Sequence, residues 1–416
     1  MGLLRRVWFQ IHWFIGITAG TVLVVIGLTG AALSFRAEIV DAMNPGVNHP
    51  GAALGAVALP PPALLAALEA KLEGRRVNAL TVFADTGRAA RANLAPLPGQ
   101  ARGETRGVDP YTGALLPELR GDAFFEFVER LHRWLLLPRD DGKAVTGTLA
   151  AGLLLLALSG LYLRWPRRPL AWRAWLRLDF ALTGRAFLWN LHAVVGTVAL
   201  VGYLVSSMTG IYWGFDAVRT LVDNAAGEGR AVRTQRMQGG DAGATPAPVK
   251  LDLPRVWQRF GAATQGDWSQ VTLRLPARGA SSVEATYLRA QPEHERARNR
   301  LYLQAATGEV TRHERYVDKP LAGRLVNSIY PLHMGTYWGL PGRIFMLLSS
   351  LAMALFAITG WMLYLGRRRT KKAVRAERAR LGQRMPSSGG EAVLIAFATQ
   401  TGQAEGLALQ TAGALQ

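Results

Sequence analysis

The chain has no cysteine. That excludes disulfides, iron–sulfur clusters, thiolate zinc sites and a covalently attached c-type haem in one step. Any metal chemistry must therefore rest on histidine. A second scarcity concerns acidic residues: four apolar stretches, roughly 13–35, 144–164, 191–214 and 343–365, contain no Asp or Glu. Each approaches or passes the 18 to 20 apolar residues or so that cross a bilayer, so the chain reads as a polytopic membrane protein. The first stretch begins near the start of the chain without a small-residue cleavage site, and is expected to be a retained span rather than a removable signal peptide.

Acidic residues are also fewer overall, 29 against 48 Lys and Arg, for a formal charge of +19. The positions of the charges decide what this means. Arg5 and Arg6 precede span one; Arg164, Arg167, Arg168, Arg173, Arg177 and Arg185 fill the link between spans two and three; a run from Arg367 to Arg380 follows span four. In a four-span protein these segments share one side, which is the positive-inside pattern. Both termini and the short link are then expected in the cytoplasm, with 36–143 and 215–342 outside. Nucleic-acid binding is a poor explanation of such a distribution.

What the chain does have is a repeat. His12 in QIHWFIG recurs 180 residues later as His192 in NLHAVVG, and Thr29-Gly30 recurs at the same offset as Thr209-Gly210. His132 in RLHRWLL recurs 201 residues on as His333 in PLHMGTY, and Ser159-Gly160 recurs 200 residues on as Thr359-Gly360. Such self-similarity is the mark of a duplicated unit. The outer segments share it: a helical stretch at 60–72, strands at 77–83 and 89–94 and the turn VDPYTGALL are answered by 256–310, with Thr307-Gly308 in the place of Thr112-Gly113. Each half runs in, out and in, so the halves read as parallel repeats about an axis along the membrane normal. The expected fold is a membrane α-helical four-helix bundle with a small outer α+β module in each half. The divisions are helix one to 36, module one over 37–143, helix two and the basic link over 144–190, helix three over 191–214, module two over 215–342, helix four over 343–366, a basic linker over 367–390, and a tail over 391–416. Residues 225–248, rich in Gly, Ala and Pro, read as flexible.

The seven histidines sort by this topology. His12 and His192 begin spans one and three on the inner side, and His132 and His333 precede spans two and four on the outer side; His49, His294 and His313 have no repeat mates. If the pseudo-twofold axis holds, each same-side pair faces across the bundle, as the axial ligands of a haem iron must. A lone interfacial histidine more often contacts headgroups or helix ends, and duplication copies structural residues too. A histidine-lined proton or metal-ion path also competes, weakened by the lack of acidic partners in the spans. The four glycines behind Thr or Ser suit close helix packing and equally leave room for a flat macrocycle. Tryptophans at span ends read mostly as an interfacial belt. Arg5, Arg6 and Arg185 inside, and Arg133 and Arg343 outside, are candidates to pair with haem propionates.

The tail, EAVLIAFATQTGQAEGLALQTAGAL, reads as a strand, a Thr-rich loop at 399–403 and a helix beginning near Ala404. It resembles the first strand, phosphate loop and first helix of a flavodoxin. Some 26 residues cannot form a flavin domain, so the chain is expected to continue in a longer fusion protein.

The spans with IH or LH starts, the TG ends such as LTGAALSFRAEI, and the DPYTGALL turn resemble the PepSY-associated transmembrane family over residues 1 to about 370. With the tail, the chain is similar to members fused to a sulfite-reductase-type flavoprotein, and to bacterial iron-regulated reductases of ferric siderophores. The resemblance implies two b-type haems on His12, His132, His192 and His333, in an inner-membrane, haem-dependent oxidoreductase. Electrons would pass from a cytoplasmic flavoprotein donor to a periplasmic ferric siderophore or other Fe(III) chelate, with FMN, FAD and NADPH expected only in the full-length fusion. Two other classes stay open: a PepSY-type binding or regulatory membrane protein without haem, and a histidine-dependent metal-ion or proton transporter.

Overall fold

The computed structural model of the chain describes residues 2–51, 56–97, 103–229, 250–276, 281–383, 395–397 and 403–415. In order come α1 (Leu3–Ile17), α2 (Ala19–Leu33), α3 (Arg36–Met43) and α4 (Pro61–Glu69), then β1 (Val77–Phe83), β2 (Ala90–Leu94) and β3 (Thr105–Val108). Next are α5 (Asp122–Trp134), α6 (Arg139–Arg164), α7 (Trp172–Leu176), α8 (Gly184–Gly214), α9 (Asp216–Ala225) and α10 (Leu253–Thr264). The strands β4 (Gln270–Arg274), β5 (Ser282–Leu288), β6 (Asn299–Gln304) and β7 (Val310–Glu314) precede α11 (Leu321–Met334), α12 (Gly339–Gln383) and α13 (Gln403–Leu415). The chain divides into two units, a helical one of 1–28, 148–208 and 348–416, and a second one of 29–147 and 209–347 that holds the sheet.

Three helices among the described residues, α6, α8 and the one containing α12, are long and apolar enough to cross a membrane, and α1 with α2 makes a fourth if that bent pair is one span. The sequence predicts a single helix over 13–35; the structure breaks it at Thr18 and bends it by 54°. The hydroxyls of Thr18 and Thr21 bond back to the carbonyls of Phe14 and Ile17, and such back-bonding loosens the backbone ladder and bends helices. In the helical unit Leu23, Leu153, Ala157, Ala199 and Tyr203 are buried together, with Met353 and Phe356 packed against them. Gly27 permits the contact with α12: a Cβ there would lie 2.7 Å from Met353 Cβ. Small residues let helices approach in this way.

α12 runs on past the apolar stretch to Gln383, so the first part of the expected linker at 367–390 is helix. No Gly or Pro lies between Gly366 and Gly382, and Arg, Lys, Ala and Glu are good helix formers. The tail helix forms as α13, while most of the expected strand and phosphate loop before it, and most of 225–248, lie outside the described residues.

In the second unit the two modules expected at 37–143 and 215–342 do not make separate sheets. Their strands pair into one antiparallel seven-stranded sheet, β3-β2-β1-β4-β5-β6-β7. The seam is β1 against β4, from Ala79 opposite Arg274 to Phe83 opposite Gln270. Thr81 and Thr272 share a hydroxyl hydrogen bond of 2.8 Å across it. An unpaired edge strand exposes a row of backbone donors and acceptors, and joining the two inner edges removes both. Helices α4 and α10 supply Leu64, Leu68, Val256 and Phe260 to a core with Leu80, Leu273 and Leu301, all essentially inaccessible. Burying each such side chain contributes about 1.5–3 kcal/mol. The turn glycines Gly113 and Gly308 have φ of +68° and +66°, a region open to glycine. They press on the helices, their added Cβ atoms falling 2.7 Å from Ala67 Cβ and 2.9 Å from the Arg255 carbonyl.

Candidate functional site

His12 lies on α1 and His192 near the start of α8. Their ring centres are 6.3 Å apart at an interplanar angle of 73°. His132 and His333 occupy the last turns of α5 and α11, and their rings are also 6.3 Å apart, at 68°. The first pair belongs to the helical unit and the second to the sheet unit. The sequence pattern leaves His132 and His333 about ten residues ahead of their spans. In the structure they ride on helices of their own, set off by left-handed residues at Leu135 and Leu136 and at Gly335 and Gly339.

Each imidazole is held by a hydroxyl on Nδ1. Ser159 Oγ is 2.8 Å from His12, Thr359 Oγ1 2.8 Å from His192, Thr29 Oγ1 3.1 Å from His132 and Thr209 Oγ1 2.7 Å from His333. All four hydroxyl residues are buried. These are the Ser and Thr of the repeated Ser/Thr-Gly pairs. Their hydroxyls were legible beside the repeated histidines, although the sequence reading gives the glycine the role. Of those glycines, Gly160 abuts the His12 ring, with a Cβ position 3.3 Å from Cε1, whereas a Cβ at Gly360 would meet nothing within 4 Å. Phe356 packs edge-on against His192 at 4.9 Å, and Trp213 against His333 at 5.1 Å. Burial, with His132 opposite, holds His333 neutral, well below the usual imidazole range.

The candidate arginines divide. Arg5 reaches the Leu163 carbonyl at 3.2 Å, and Arg185 is exposed. Arg133 pairs with Glu129 at 2.8 Å and lies over Trp134. Arg343 is bidentate on Glu38, bonds the Ser34 carbonyl and covers Phe35. Arg343 in turn holds the Glu38 carboxyl below its usual range. Arg133 and Arg343, expected as propionate partners, are thus already matched with carboxylates. His294, without a repeat mate, is buried against Tyr316 and Ser328, and His313 bonds Tyr287 at 2.8 Å.

The model of the PepSY-associated TM region matches residues 9–367. The chain belongs to the PepSY-associated transmembrane family. Its histidine pairs and their hydroxyl partners all fall within the matched region. Comparison with curated proteins finds no match.

The donor set of this family member suits one group better than another. Two imidazoles held on opposite sides of one metal, at about 2 Å for each metal–nitrogen bond, would have ring centres roughly 6 Å apart. Both pairs stand at 6.3 Å. Among the described residues no group of three or more His, Cys, Asp or Glu converges. Two nitrogen donors fall short of the four that tetrahedral zinc takes, and each histidine pair would suit a haem iron held by two imidazoles.

Proposed function

We propose that this membrane protein is a di-haem electron-transfer reductase, with His12 and His192 holding one b-type haem and His132 and His333 the other. The single observation that carries this reading is the pair of imidazole couples with equal spacing, each ring braced on Nδ1 by a buried hydroxyl. Bound haem supplies a one-electron couple. The chain's own residues hold the rings apart, pack Phe356 and Trp213 against them, and leave His333 half-buried.

The fold proposed for this electron transfer is a four-helix bundle of two parallel repeats, with α1 and α2 counted as one span. The positive-inside distribution of arginines supports a cytoplasmic side for both termini, and a bacterial inner membrane is the proposed setting. His12 and His192 then begin their spans on the donor side, and His132 and His333 serve the outer side. A cytoplasmic flavoprotein, fused in the full-length chain and carrying FMN, FAD and NADPH, is the proposed donor. A periplasmic ferric siderophore or other Fe(III) chelate is the proposed acceptor. Reduction to Fe(II) weakens its bonds to hard oxygen donors, which is how iron would be released. The shortage, among the described residues, of converging ligands beyond each pair favours this reading over a metal-ion path.

The test is a dithionite-reduced minus oxidised visible spectrum of the detergent-purified chain, with pyridine haemochromogen quantitation, on wild type and on His12→Ala and His333→Ala. Two b haems per chain, with about one lost in each variant, is the expected result. A chain that stays colourless after reconstitution with haem would overturn it.

A further inference from the structure

The hydrogen on two of the bracing hydroxyls is already committed. Ser159 Oγ lies 2.5 Å from the Leu155 carbonyl, and Thr359 Oγ1 lies 2.7 Å from the Leu355 carbonyl, each one turn back along its own helix. A hydroxyl has one hydrogen, and a carbonyl can only accept. All contacts are met only if the hydroxyl donates to the carbonyl and its oxygen accepts from the histidine. Nδ1 of His12 and of His192 therefore carries the proton, and Nε2 is left with a bare lone pair. Thr29 and Thr209 hold the equivalent Nδ1 contacts on His132 and His333.

We infer that Ser159, Thr359, Thr29 and Thr209 are positioning residues, each accepting the Nδ1–H of its histidine and thereby presenting Nε2 as the ligating nitrogen. The inference deepens the proposed haem site and rests on that reading for its redox consequences. The tautomer itself does not. Metal-ligating histidines commonly give their second N–H to a carboxylate or carbonyl, which fixes the ring and raises its basicity. Here the acceptor is a neutral hydroxyl that is itself polarised by donating to a backbone carbonyl. It orients the ring with less charge transfer than a carboxylate would give, since hydrogen bonds to an ionised acceptor are roughly twice as strong. The imidazole stays a neutral ligand, and no buried negative charge is needed in spans that contain none. Each brace also stays within one half of the chain, whereas each imidazole pair joins the two halves.

The experiment uses the purified full chain with Thr359→Val and Thr209→Val, which keep the shape and delete the acceptor, beside Thr359→Ser and Thr209→Ser, which retain it. Haem content, redox titration and the low-spin ferric resonance are read in each. Each valine variant is expected to hold one haem about 10–100-fold more weakly, with the midpoint potential of that haem raised and the other unchanged. The serine variants are expected to restore both. Valine variants with wild-type haem content and potential would overturn the inference. So would serine variants as defective as valine, because packing and not the hydrogen bond would then be responsible. Haem-free protein labelled with 15N-histidine provides a separate arm: Nδ1-protonated neutral imidazoles are expected, and Nε2-protonated ones would overturn the assignment. A wild-type chain that takes up no haem would sink the haem reading and leave that arm to decide the tautomer.

Discussion

His132 and His333 face each other with ring centres 6.3 Å apart, although 201 residues separate them. His12 and His192, 180 residues apart, repeat the same separation. On the proposed haem reading, two side chains bonding one iron act as a unit, so their substitutions are not additive. His132→Ala, His333→Ala and the double variant should each lose about one haem per chain, while His132→Ala combined with His192→Ala should lose both. Pyridine haemochromogen counts distinguish these outcomes, and a double loss from His132→Ala with His333→Ala would break the pairing.

Gly147 of α6 and Gly214 of α8 touch through their backbones. A Cβ on Gly147 would lie 2.9 Å from Gly214 Cα and 3.1 Å from the Phe215 ring. Backbone cannot yield as a flexible side chain does, and overpacking costs about 1–3 kcal/mol. Gly147→Ala should lower the thermal unfolding midpoint in detergent, whereas Gly261→Ala, where a Cβ meets nothing within 4 Å, should not.

Phe260 is fully buried between α10 and the sheet, stacked on Trp257 at 5.1 Å and edge-on to Tyr287. Phe260→Ala should destabilise this unit by about 3–5 kcal/mol. Denaturant titration followed by tryptophan fluorescence, to which Trp257 and Trp268 contribute, would measure it. An unchanged midpoint would mean the site collapses around the cavity.

The pH dependence of the sheet unit has an identifiable source in His294. Its Nδ1 accepts the Arg296 N–H at 3.1 Å, so the proton sits on Nε2, directed at Tyr316 Oη 3.0 Å away. Burial lowers its pKa from the ordinary 6.5, outweighing the attraction of Glu295 and Glu293 for the charged form. The unfolded chain then binds this proton more readily than the folded one. The stability contributed by neutral His294 is fully present above pH about 6.5 and is lost as pH falls from there through the lowered folded value. Unfolding midpoints measured from pH 8 to 5 should decline below about pH 6.5 in wild type and decline less in His294→Gln, the remaining slope coming from His313 and His333 of the same unit, whose values burial also lowers. Glu38 gives its own decline only at lower pH, because Arg343 holds its carboxyl below the usual range.

Much of the molecule is legible along the chain, because hydropathy and repetition are local properties. The apolar stretches announce the spanning helices, the turn at Thr112-Gly113 and its mate at Thr307-Gly308 both form, and the four repeated histidines come together in two pairs. The break at Thr18 is less legible, since threonine in an apolar run signals nothing until its hydroxyl bonds back to Phe14. What tertiary structure alone decided is who meets whom. The seam of β1 with β4 joins strands that no local pattern relates, because an edge strand is completed by whichever edge the fold brings beside it. Arg133 and Arg343 carry the right charge for a propionate, yet Glu129 and Glu38 reach them first. The hydroxyls of Ser159, Thr359, Thr29 and Thr209 bond histidines 103 to 167 residues away. A hydrogen bond is made or lost over a few tenths of an ångström, and only the packing of one helix against another sets such distances.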